Sequence, residues 1–298
     1  MSVTAAEIEV VAGVVFDLCG IVLDESKDYL IESRLSSLVR KAGCGDYAEL
    51  ARKVKYGGDA ALAVEMIDAI TTNETLFFRD GSPFEALRHK ALPELFDAKA
   101  RTMYPKRLRI WSAACSTGQE PYSIAMTLHD LIPDVHSWDI SVLATDISDA
   151  AVRQASTGRY SDMELQRGLP DAALHKHFTR EANGWKVKDE IRALVMFRRI
   201  NLHEPFHALG PFDVIFCRNV AIYFSPAARA TLFRGLVNIL SPDGYLFVGS
   251  SESLGDLGPE FAAQHHCRSV FYQPSKRRAA AVGAVPRAPT LGGPVAAR

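Results

Sequence analysis

LRIWSAACSTGQEPYS, residues Leu108 to Ser123, is the segment from which the predicted architecture follows. Residues 108–113 are mostly apolar and predict a short buried strand. Small residues continue to Gly118, and they let the backbone turn tightly beside a ligand. Pro121 suits the first turn of a helix, because that turn does not use the missing N–H. Strand, small-residue turn and helix is how a doubly wound α/β fold presents a nucleoside ligand, although such a turn can also be purely structural.

The turn indicates a ribose rather than a pyrophosphate. Ala113 stands where the first glycine of a G-x-G-x-x-G motif would be, so no dense bed of backbone N–H groups is expected. The next predicted strand, 140–145, ends in Asp146, and an acid at this position grips a ribose diol. Asp146 lies 28 residues after Gly118, more than the roughly 20 of the dinucleotide rule. Ser148 is the expected cap of the following helix, which leaves Asp146 for a ligand.

Composition narrows the class of protein. The chain has 298 residues, of which 48% are hydrophobic, enough for one very large domain or two ordinary ones. A net charge of −1 predicts no general affinity for nucleic acid. The five cysteines are scattered, so we expect reduced thiols in the cytoplasm. We expect neither a signal peptide nor a membrane span. We also predict no metal site, because His265-His266-Cys267 has no matching ligand cluster.

The chain divides into four predicted regions. They are an all-α N-terminal domain (1–79), a linker helix and connector (80–106), a doubly wound Rossmann-like domain (107–274) and a disordered basic tail (275–298). A small antiparallel β-subdomain is predicted as an insertion at about 176–192, with a primed hairpin turn at Asn183-Gly184. The segment 265–273 is a candidate for a last strand, antiparallel at the end of the sheet.

Several groups of small and polar residues follow predicted strands. These groups are 113–120, Asp146, Asn201-Leu202 and Arg218-Asn219. Parallel strands of a doubly wound sheet end at one edge, and ligands bind there. We therefore predict a single ligand site at that edge.

Five motifs resemble those of one known family, the CheR chemoreceptor glutamate methyltransferases. They are N-E-T-x-F-F-R-D at 73–80, W-S-A-A-C-S-T-G-Q-E-P-Y-S at 111–123, T-D-I-S at 145–148, N-L at 201–202 and F-C-R-N-V-x-I-Y-F at 216–224. The resemblance implies a helical domain followed by a methyltransferase sheet that carries a small β-subdomain. It also implies S-adenosylmethionine as methyl donor, S-adenosylhomocysteine as product and glutamate side chains of chemoreceptors as acceptors.

The resemblance implies site residues by motif position. The cofactor contacts would be Asn73, Thr75, Arg79, Glu120, Asp146, Asn201, Leu202, Arg218 and Asn219, and the catalytic pair would be Arg79 and Tyr223. A glutamate carboxylate, with a pKa near ~4.3, is already a nucleophile at neutral pH, so alignment is needed rather than a base. Arg79 would hold the carboxylate as a fork, and Tyr223 would hydrogen bond to it. The structural alternatives are an ion pair of Arg79 with an acid such as Asp80, and packing for Tyr223.

Two other functions are alternatives, and the residues argue against each. A nucleic-acid methyltransferase would carry an Asn-Pro-Pro-aromatic run, but Asn219 is followed by Val220-Ala221. A non-catalytic module that binds S-adenosylmethionine is disfavoured, because Arg79 and Tyr223 are both present.

Partner expectations follow from charge and from the resemblance. The basic residues Arg34, Arg40 and Lys41 predict a docking face for an acidic receptor helical bundle, although a solvated face is the common alternative. We expect a cytoplasmic monomer that does not bind nucleic acid and meets the membrane only through the receptor. The sequence does not identify which receptors are modified.

Overall fold

The computed structural model describes residues 2–24 and 27–275, and it confirms the predicted fold class. An all-α N-terminal domain comprises α1 (Ala5–Cys19), α2 (Asp28–Lys41), α3 (Tyr47–Tyr56) and α4 (Ala60–Ile70). The predicted basic tail lies outside the described residues from position 276 onward. Within the described part of the chain, no helix has the length and apolar character to cross a membrane.

Polar side chains cap the start of three of these helices, α1, α3 and α4. Thr4 and Glu7 form a reciprocal capping box at the start of α1, and Asp46 and Asp59 cap α3 and α4 by accepting backbone N–H groups. Gly20 ends α1 in a left-handed conformation with φ of 73°, which a residue without Cβ adopts at little cost. Side chains from all four helices then share one core, which includes Val11, Val14, Ile31, Leu35, Tyr47, Leu50 and Met66.

A continuous helical segment joins this domain to the sheet. It comprises α5 (Ser82–Ala86), a π-helical turn (Leu87–Ala91) and α6 (Leu92–Lys99). Pro83 lies in its first turn, where a missing N–H costs nothing. Phe84 is buried, and its ring stacks on Phe216 with centroids 5.8 Å apart, which fixes the segment against the sheet.

The remaining elements form an α/β domain. Its strands are β1 (Arg107–Ala113), β2 (Asp139–Asp146), β3 (Arg159–Tyr160), β4 (Phe178–Glu181), β5 (Gly184–Val187), β6 (Val195–Arg199), β7 (Phe212–Cys217), β8 (Leu240–Val248), β9 (Phe261–His266) and β10 (Ser269–Pro274). Its helices are α7 (Gln119–Leu131), α8 (Asp149–Thr157), α9 (Asp162–Gln166), α10 (Asp171–His177), α11 (Asp189–Arg192) and α12 (Pro226–Asn238).

Seven strands form a twisted, mostly parallel sheet in the order β6-β2-β1-β7-β8-β10-β9. The order reverses at β1, since β2 and β6 lie on one side and β7 and β8 on the other, all in parallel. Such a reversal opens a crevice beyond the carboxyl ends of the strands. Residues along β1 alternate between the two faces, so Ile110 and Trp111 belong to separate apolar cores. Helices therefore cover both faces, and the crevice is left at the strand ends.

The small antiparallel sheet has the order β3-β5-β4. It extends beyond the predicted insertion at 176–192, because its edge strand β3 lies earlier in the chain. The prediction of a primed turn was wrong. Ala182 and Asn183 form the two-residue loop between β4 and β5, and neither has the positive φ of a primed turn. The positive φ is at Gly184, with a value of 137°. A Cβ at Gly184 would lie 2.5 Å from the Tyr160 carbonyl oxygen, so glycine permits this close approach.

The prediction of a single strand at 265–273 was also wrong. The structure has a hairpin there, with β10 antiparallel to both β8 and β9. Cys267 and Arg268 form its two-residue loop, and their φ values of 47° and 59° are those of a primed turn. The antiparallel strand is consequently the second from the end of the sheet, and β9 is the edge strand.

Candidate active site

One pocket lies beyond the carboxyl ends of β1, β2 and β7, with an empty volume of about 890 Å³ that includes its mouth. The structure places every predicted cofactor residue and Tyr223 in its wall. These residues are Asn73, Thr75, Arg79, Glu120, Asp146, Asn201, Leu202, Arg218, Asn219 and Tyr223. They come from five separate motifs, so the fold brings together what the chain keeps up to 150 residues apart.

The turn after β1 is built from left-handed backbone. Ala114 and Ser116 have φ of 61° and 50°, and Gly118 has φ of 97°. A Cβ on Gly118 would lie 2.8 Å from the Tyr160 hydroxyl and 2.9 Å from the Ala155 side chain, so only glycine fits there. Ala114 and Ser116 both line the pocket, and non-glycine residues in such conformations are concentrated at functional sites.

Asp146 ends β2 and points its carboxylate between two backbone segments. One oxygen accepts the N–H of Ser116 at 2.8 Å, and the other accepts the N–H of Ser148 at 2.9 Å. Each carboxylate oxygen has a second lone pair, so the group can still accept from a ligand. Burial raises the pKa of Asp146 above the usual aspartate value. Ser148 caps α8 as expected.

Glu120 and Arg218 form a buried ion pair in the pocket wall. Their side chains are 11% and 1% exposed, and the Arg218 Nη1 lies 3.0 Å from the Glu120 Oε2. Arg218 Nη2 also donates to Asp80 at 2.6 Å and to the Arg79 carbonyl oxygen at 2.9 Å. Ser112 donates to the other oxygen of Glu120. Burial raises the pKa of Glu120, although the Arg218 charge opposes that rise.

This network also locates Arg79. The predicted alternative pairing of Arg79 with Asp80 is not made, since Asp80 accepts from Arg218 instead. The Arg79 side chain is half-buried and donates to the Glu74 carbonyl oxygen at 3.2 Å. The hydrogen bond from Arg218 to the Arg79 carbonyl oxygen fixes the backbone from which the Arg79 side chain extends. Arg79 is part of the pocket wall.

The segment before Arg79 is bound to the α/β domain by hydrogen bonds at both ends. Ser116 Oγ donates to the Asn73 carbonyl oxygen at 2.9 Å, and the Phe78 N–H donates to Ser123 Oγ at 2.9 Å. Phe77 is fully buried against Tyr160 with ring centroids 4.9 Å apart. The interdomain segment is therefore a wall of the pocket rather than a free linker.

The Asn201 side chain is already engaged within the protein. Its Nδ2 donates to the Leu18 carbonyl oxygen at 2.9 Å, and its Oδ1 accepts the His203 N–H at 3.0 Å. Leu18 belongs to the last turn of α1, so Asn201 joins the N-terminal domain to the sheet domain. The geometry gives Asn201 a structural role beside its place in the pocket wall.

Tyr223 is contacted by the N-terminal domain. The segment 219–224 follows β7, and its residues 221–223 form a 3₁₀ turn. The Tyr223 carbonyl oxygen accepts the Val22 N–H at 2.9 Å, and Ile21 pairs with Phe224 as an isolated antiparallel bridge. Ile21 and Cys19 therefore contribute to the pocket wall. Sequence reasoning missed both, because nothing local in the 19–22 segment indicates a ligand.

The basic residues of α2 differ in their exposure and in the partners that they contact. Arg34 Nη1 donates to the carbonyl oxygens of Ile70 at 3.0 Å and Thr71 at 2.6 Å, so it satisfies the end of α4. Lys41 forms an exposed ion pair with Glu65 at 2.6 Å. Arg40 is exposed to solvent. Of the three residues predicted to form a docking face, Arg40 and Lys41 are exposed, whereas Arg34 is engaged in holding the end of α4.

Within the described residues, one group of metal-ligand types was not predicted. His129, Asp130 and His177 bring their ligand atoms within 4.8 Å of one another. The Asp130 carboxylate already contacts Lys176 at 2.5 Å and Arg88 at 3.6 Å. A cation at this place would compete with those two charges for the same carboxylate. His129 also lies nine residues after Glu120 on α7, about 14 Å along the helix from the pocket.

The residues of the pocket fit S-adenosylmethionine, the cofactor that the resemblance implies. Asp146 offers acceptor lone pairs for the ribose hydroxyls, and Glu120 offers a buried negative group for the amino end. Arg79 offers donors for a carboxylate. Leu202 and Val220 provide apolar wall for a base. The turn after β1 lacks the G-x-G-x-x-G motif of a pyrophosphate site, in keeping with a nucleoside that has no phosphate.

Comparisons with known proteins agree with these features. Residues 6–71 match the family described as CheR methyltransferase, all-alpha domain, and residues 73–268 match CheR methyltransferase, SAM binding domain. Chemotaxis protein methyltransferase 1 of Pseudomonas aeruginosa is 38% identical, with 92% of this chain and 99% of that protein covered. Chemotaxis protein methyltransferase 1 of Vibrio cholerae is 44% identical, with 86% and 92% covered. The chemotaxis protein methyltransferase of Vibrio parahaemolyticus is 43% identical, with the same coverage.

Proposed function

The chain belongs to the CheR methyltransferase family and its cofactor is S-adenosylmethionine, and from this premise we propose that it methylates glutamate side chains of chemotaxis receptors. The observation that carries the proposal is the pocket wall, where Arg79 and Tyr223 lie with the buried acids Asp146 and Glu120. The relatives named as chemotaxis protein methyltransferases support it, since the chain spans over nine-tenths of their length.

The chain's own residues need to align reactants rather than transfer protons. When bound, S-adenosylmethionine supplies a methyl group on a sulfonium. Transfer of that methyl to the acceptor oxygen, with loss of the S–C bond, would convert a carboxylate and a sulfonium into a neutral ester and a neutral thioether. Arg79 holds the acceptor carboxylate as a planar fork, and it stays protonated throughout. Tyr223 orients the same carboxylate by one hydrogen bond. Bringing the carboxylate into a half-buried pocket removes water that would otherwise stabilise it.

Asp146, Glu120 and Arg218 serve binding in this proposal. Asp146 holds the ribose, Glu120 faces the amino group, and Arg218 favours the charged form of Glu120 and holds the carboxylate in place. Asn73, Thr75, Asn201, Leu202 and Asn219 complete the wall around the cofactor.

The partner proposal is a docking step on the helical domain. The exposed Arg40 and Lys41 of α2 would contact an acidic helical bundle of the receptor, and Arg34 would support that helix from below. The enzyme would act as a cytoplasmic monomer and reach the membrane only through its receptor.

Transfer of a labelled methyl group tests the proposal. Purified protein, labelled S-adenosylmethionine and receptor-containing membranes should give receptor label that mild base releases as methanol, the behaviour of a methyl ester. Receptors whose acceptor glutamates are replaced by alanine should stay unlabelled. Label that resists base, or label in nucleic acid instead, contradicts the glutamate assignment. A chain that binds the cofactor and transfers nothing would be a binding module.

A further inference from the structure

Glu252 is a buried acid whose carboxylate faces backbone rather than the pocket. The residue is 8% exposed and follows β8 in the segment Gly249-Ser250-Ser251-Glu252. Its Oε2 accepts the N–H of Asn219 at 2.8 Å and of Gly249 at 2.7 Å, and its Oε1 accepts the N–H of Ala221 at 3.1 Å. Three backbone donors therefore meet one carboxylate, so its position is tied to all three backbone segments.

Two of these donors belong to the segment that carries the proposed site residues. Asn219 lines the pocket and adopts a left-handed φ of 57°. Ala221 begins the 3₁₀ turn that ends at Tyr223. A residue in left-handed backbone is held there by its surroundings, and the Glu252 bonds to residues 219 and 221 supply that restraint on both sides of Val220.

Gly249 gives independent evidence that Glu252 and the Asn219 segment pack closely against the end of β8. A Cβ at this position would lie 2.6 Å from the Glu252 Oε2, 2.8 Å from the Asn219 Nδ2 and 3.0 Å from the Asn219 backbone nitrogen. A Cβ at 249 would therefore push the Glu252 carboxylate and the Asn219 segment apart, and glycine lets them meet.

We propose that Glu252 is a positioning residue for methyl transfer, which sets the Asn219–Tyr223 segment so that Asn219 meets the cofactor and Tyr223 meets the acceptor. The inference rests on the proposed function for the role of Tyr223. Glu252 itself touches neither reactant, and it acts through the backbone of the segment it holds. A misplacement of about 1 Å in such a segment can cost on the order of 100-fold in rate.

Glu252→Gln is the test variant. Its amide oxygen can replace Oε2, but its NH₂ group then faces the Ala221 N–H, so two donors oppose each other. We expect kcat to fall between about 10- and 100-fold, with the KM for receptor changed by less than about threefold. Affinity for S-adenosylhomocysteine should fall several-fold by calorimetry. Amide hydrogen exchange at Asn219 and Ala221 should accelerate by at least about tenfold in the folded protein.

Asp213→Asn is the matched control. Asp213 is also a buried acid on the same sheet, where it accepts the Arg109 N–H at 2.8 Å and pairs with Lys99 at 2.8 Å, but it lies near the amino end of β7. We expect it to lower the melting temperature while kcat and exchange at residues 219 and 221 stay at wild-type values. A purely structural Glu252 would behave in the same way, so Glu252→Gln with kcat within about twofold of Asp213→Asn overturns the proposal.

Gly249→Ala decides the matter if Glu252→Gln does not fold. It keeps the carboxylate and displaces the Asn219 segment, so a folded Gly249→Ala chain should lose kcat and cofactor affinity, and wild-type values would overturn the proposal. If the wild-type protein methylates no receptor, the proposed function fails. Exchange at Asn219 and Ala221, together with S-adenosylhomocysteine affinity, would then still decide whether Glu252 holds the segment.

Discussion

Replacing Arg218 by methionine removes a cation from the pocket wall and keeps most of the side-chain volume. The guanidinium is 1% exposed and pairs with Glu120, whose own side chain is 11% exposed. Without it the Glu120 carboxylate is buried and unpaired, which typically costs about 3–5 kcal/mol. Asp80 adds little to this loss, because its side chain is 34% exposed and water replaces the lost bond. We therefore expect the free energy of unfolding to fall by about 3–5 kcal/mol.

A double variant separates charge from packing. Glu120→Gln in the Arg218→Met background removes the unpaired charge, and neutral replacements of buried ion pairs are often tolerated. Burial already raises the pKa of Glu120, which means that desolvation outweighs the attraction of Arg218. The double variant should therefore be more stable than Arg218→Met by at least about 2 kcal/mol. It should still bind S-adenosylhomocysteine weakly, because stability returns but the buried negative group does not.

Tryptophan fluorescence in urea measures these changes in the correct domain. All three tryptophans lie at 111, 138 and 185, within the α/β domain, so the signal does not mix in unfolding of the helical domain. Arg153→Met is the control, since Arg153 is 66% exposed and pairs with Asp149 one helical turn away. Such pairs contribute about 0.3–0.5 kcal/mol. An Arg218→Met loss no larger than this, or a double variant less stable than the single one, would refute the reasoning.

Three further predictions concern binding and turnover. Asp146→Asn should weaken S-adenosylhomocysteine binding by about 1–3 kcal/mol in calorimetry, and unchanged affinity would exclude the residue from the site. Arg79→Lys keeps the charge but loses the planar fork, and Tyr223→Phe loses one hydroxyl, so single-turnover methyl transfer should slow in both variants. The cofactor should still bind to Tyr223→Phe. Wild-type rates in both variants would contradict the roles proposed for Arg79 and Tyr223. Burial raises the pKa of Asp146 and of Glu120, so cofactor affinity should fall on acidification at a higher pH than an ordinary carboxylate would give, and affinity constant from pH 8 to 5 would contradict this.

The sign of the third prediction is opposite for binding and for folding. Binding needs the two carboxylates ionised, so it weakens as pH falls towards their raised pKa values. Folding gains from the neutral forms, because a raised folded-state pKa contributes stability that is complete below the unfolded pKa and is lost as pH rises through the folded one. Urea unfolding of the α/β domain across the same pH range should separate the two effects.

Residues close in sequence to a strand end were predictable. Asp146 and the turn after β1 were found because an apolar run, small residues and an acid at the next strand end form a local pattern. Ser148 as a helix cap was found for the same reason. The motifs at 201–202 and 216–224 also follow strands, so the parallel sheet brings them to the same edge.

Contacts between distant residues were not predictable. Arg218 and Asp80 are 138 positions apart, and Glu252 reaches Asn219 across 33, so no local spacing indicates either bond. The turn types failed for a different reason. Asn-Gly at 183–184 favours a primed turn but did not form one, whereas Cys267-Arg268 formed one without a glycine or asparagine. There the pairing of β9 with β10 imposes the backbone that the loop residues do not prefer.

The contact between the end of α1 and the 219–224 segment limits how this protein can be altered. Under the docking proposed for α2, grafting the helical domain of a relative should redirect the enzyme to other receptors. Here Val22 is hydrogen bonded to Tyr223, and Cys19 and Ile21 are part of the pocket wall. A graft that ends before residue 19 keeps this wall, whereas one that replaces residues 19–22 must bring a matching 219–224 segment. Any graft that reaches α2, where we propose that the receptor docks, must therefore also replace residues 19–22, two of which line the pocket.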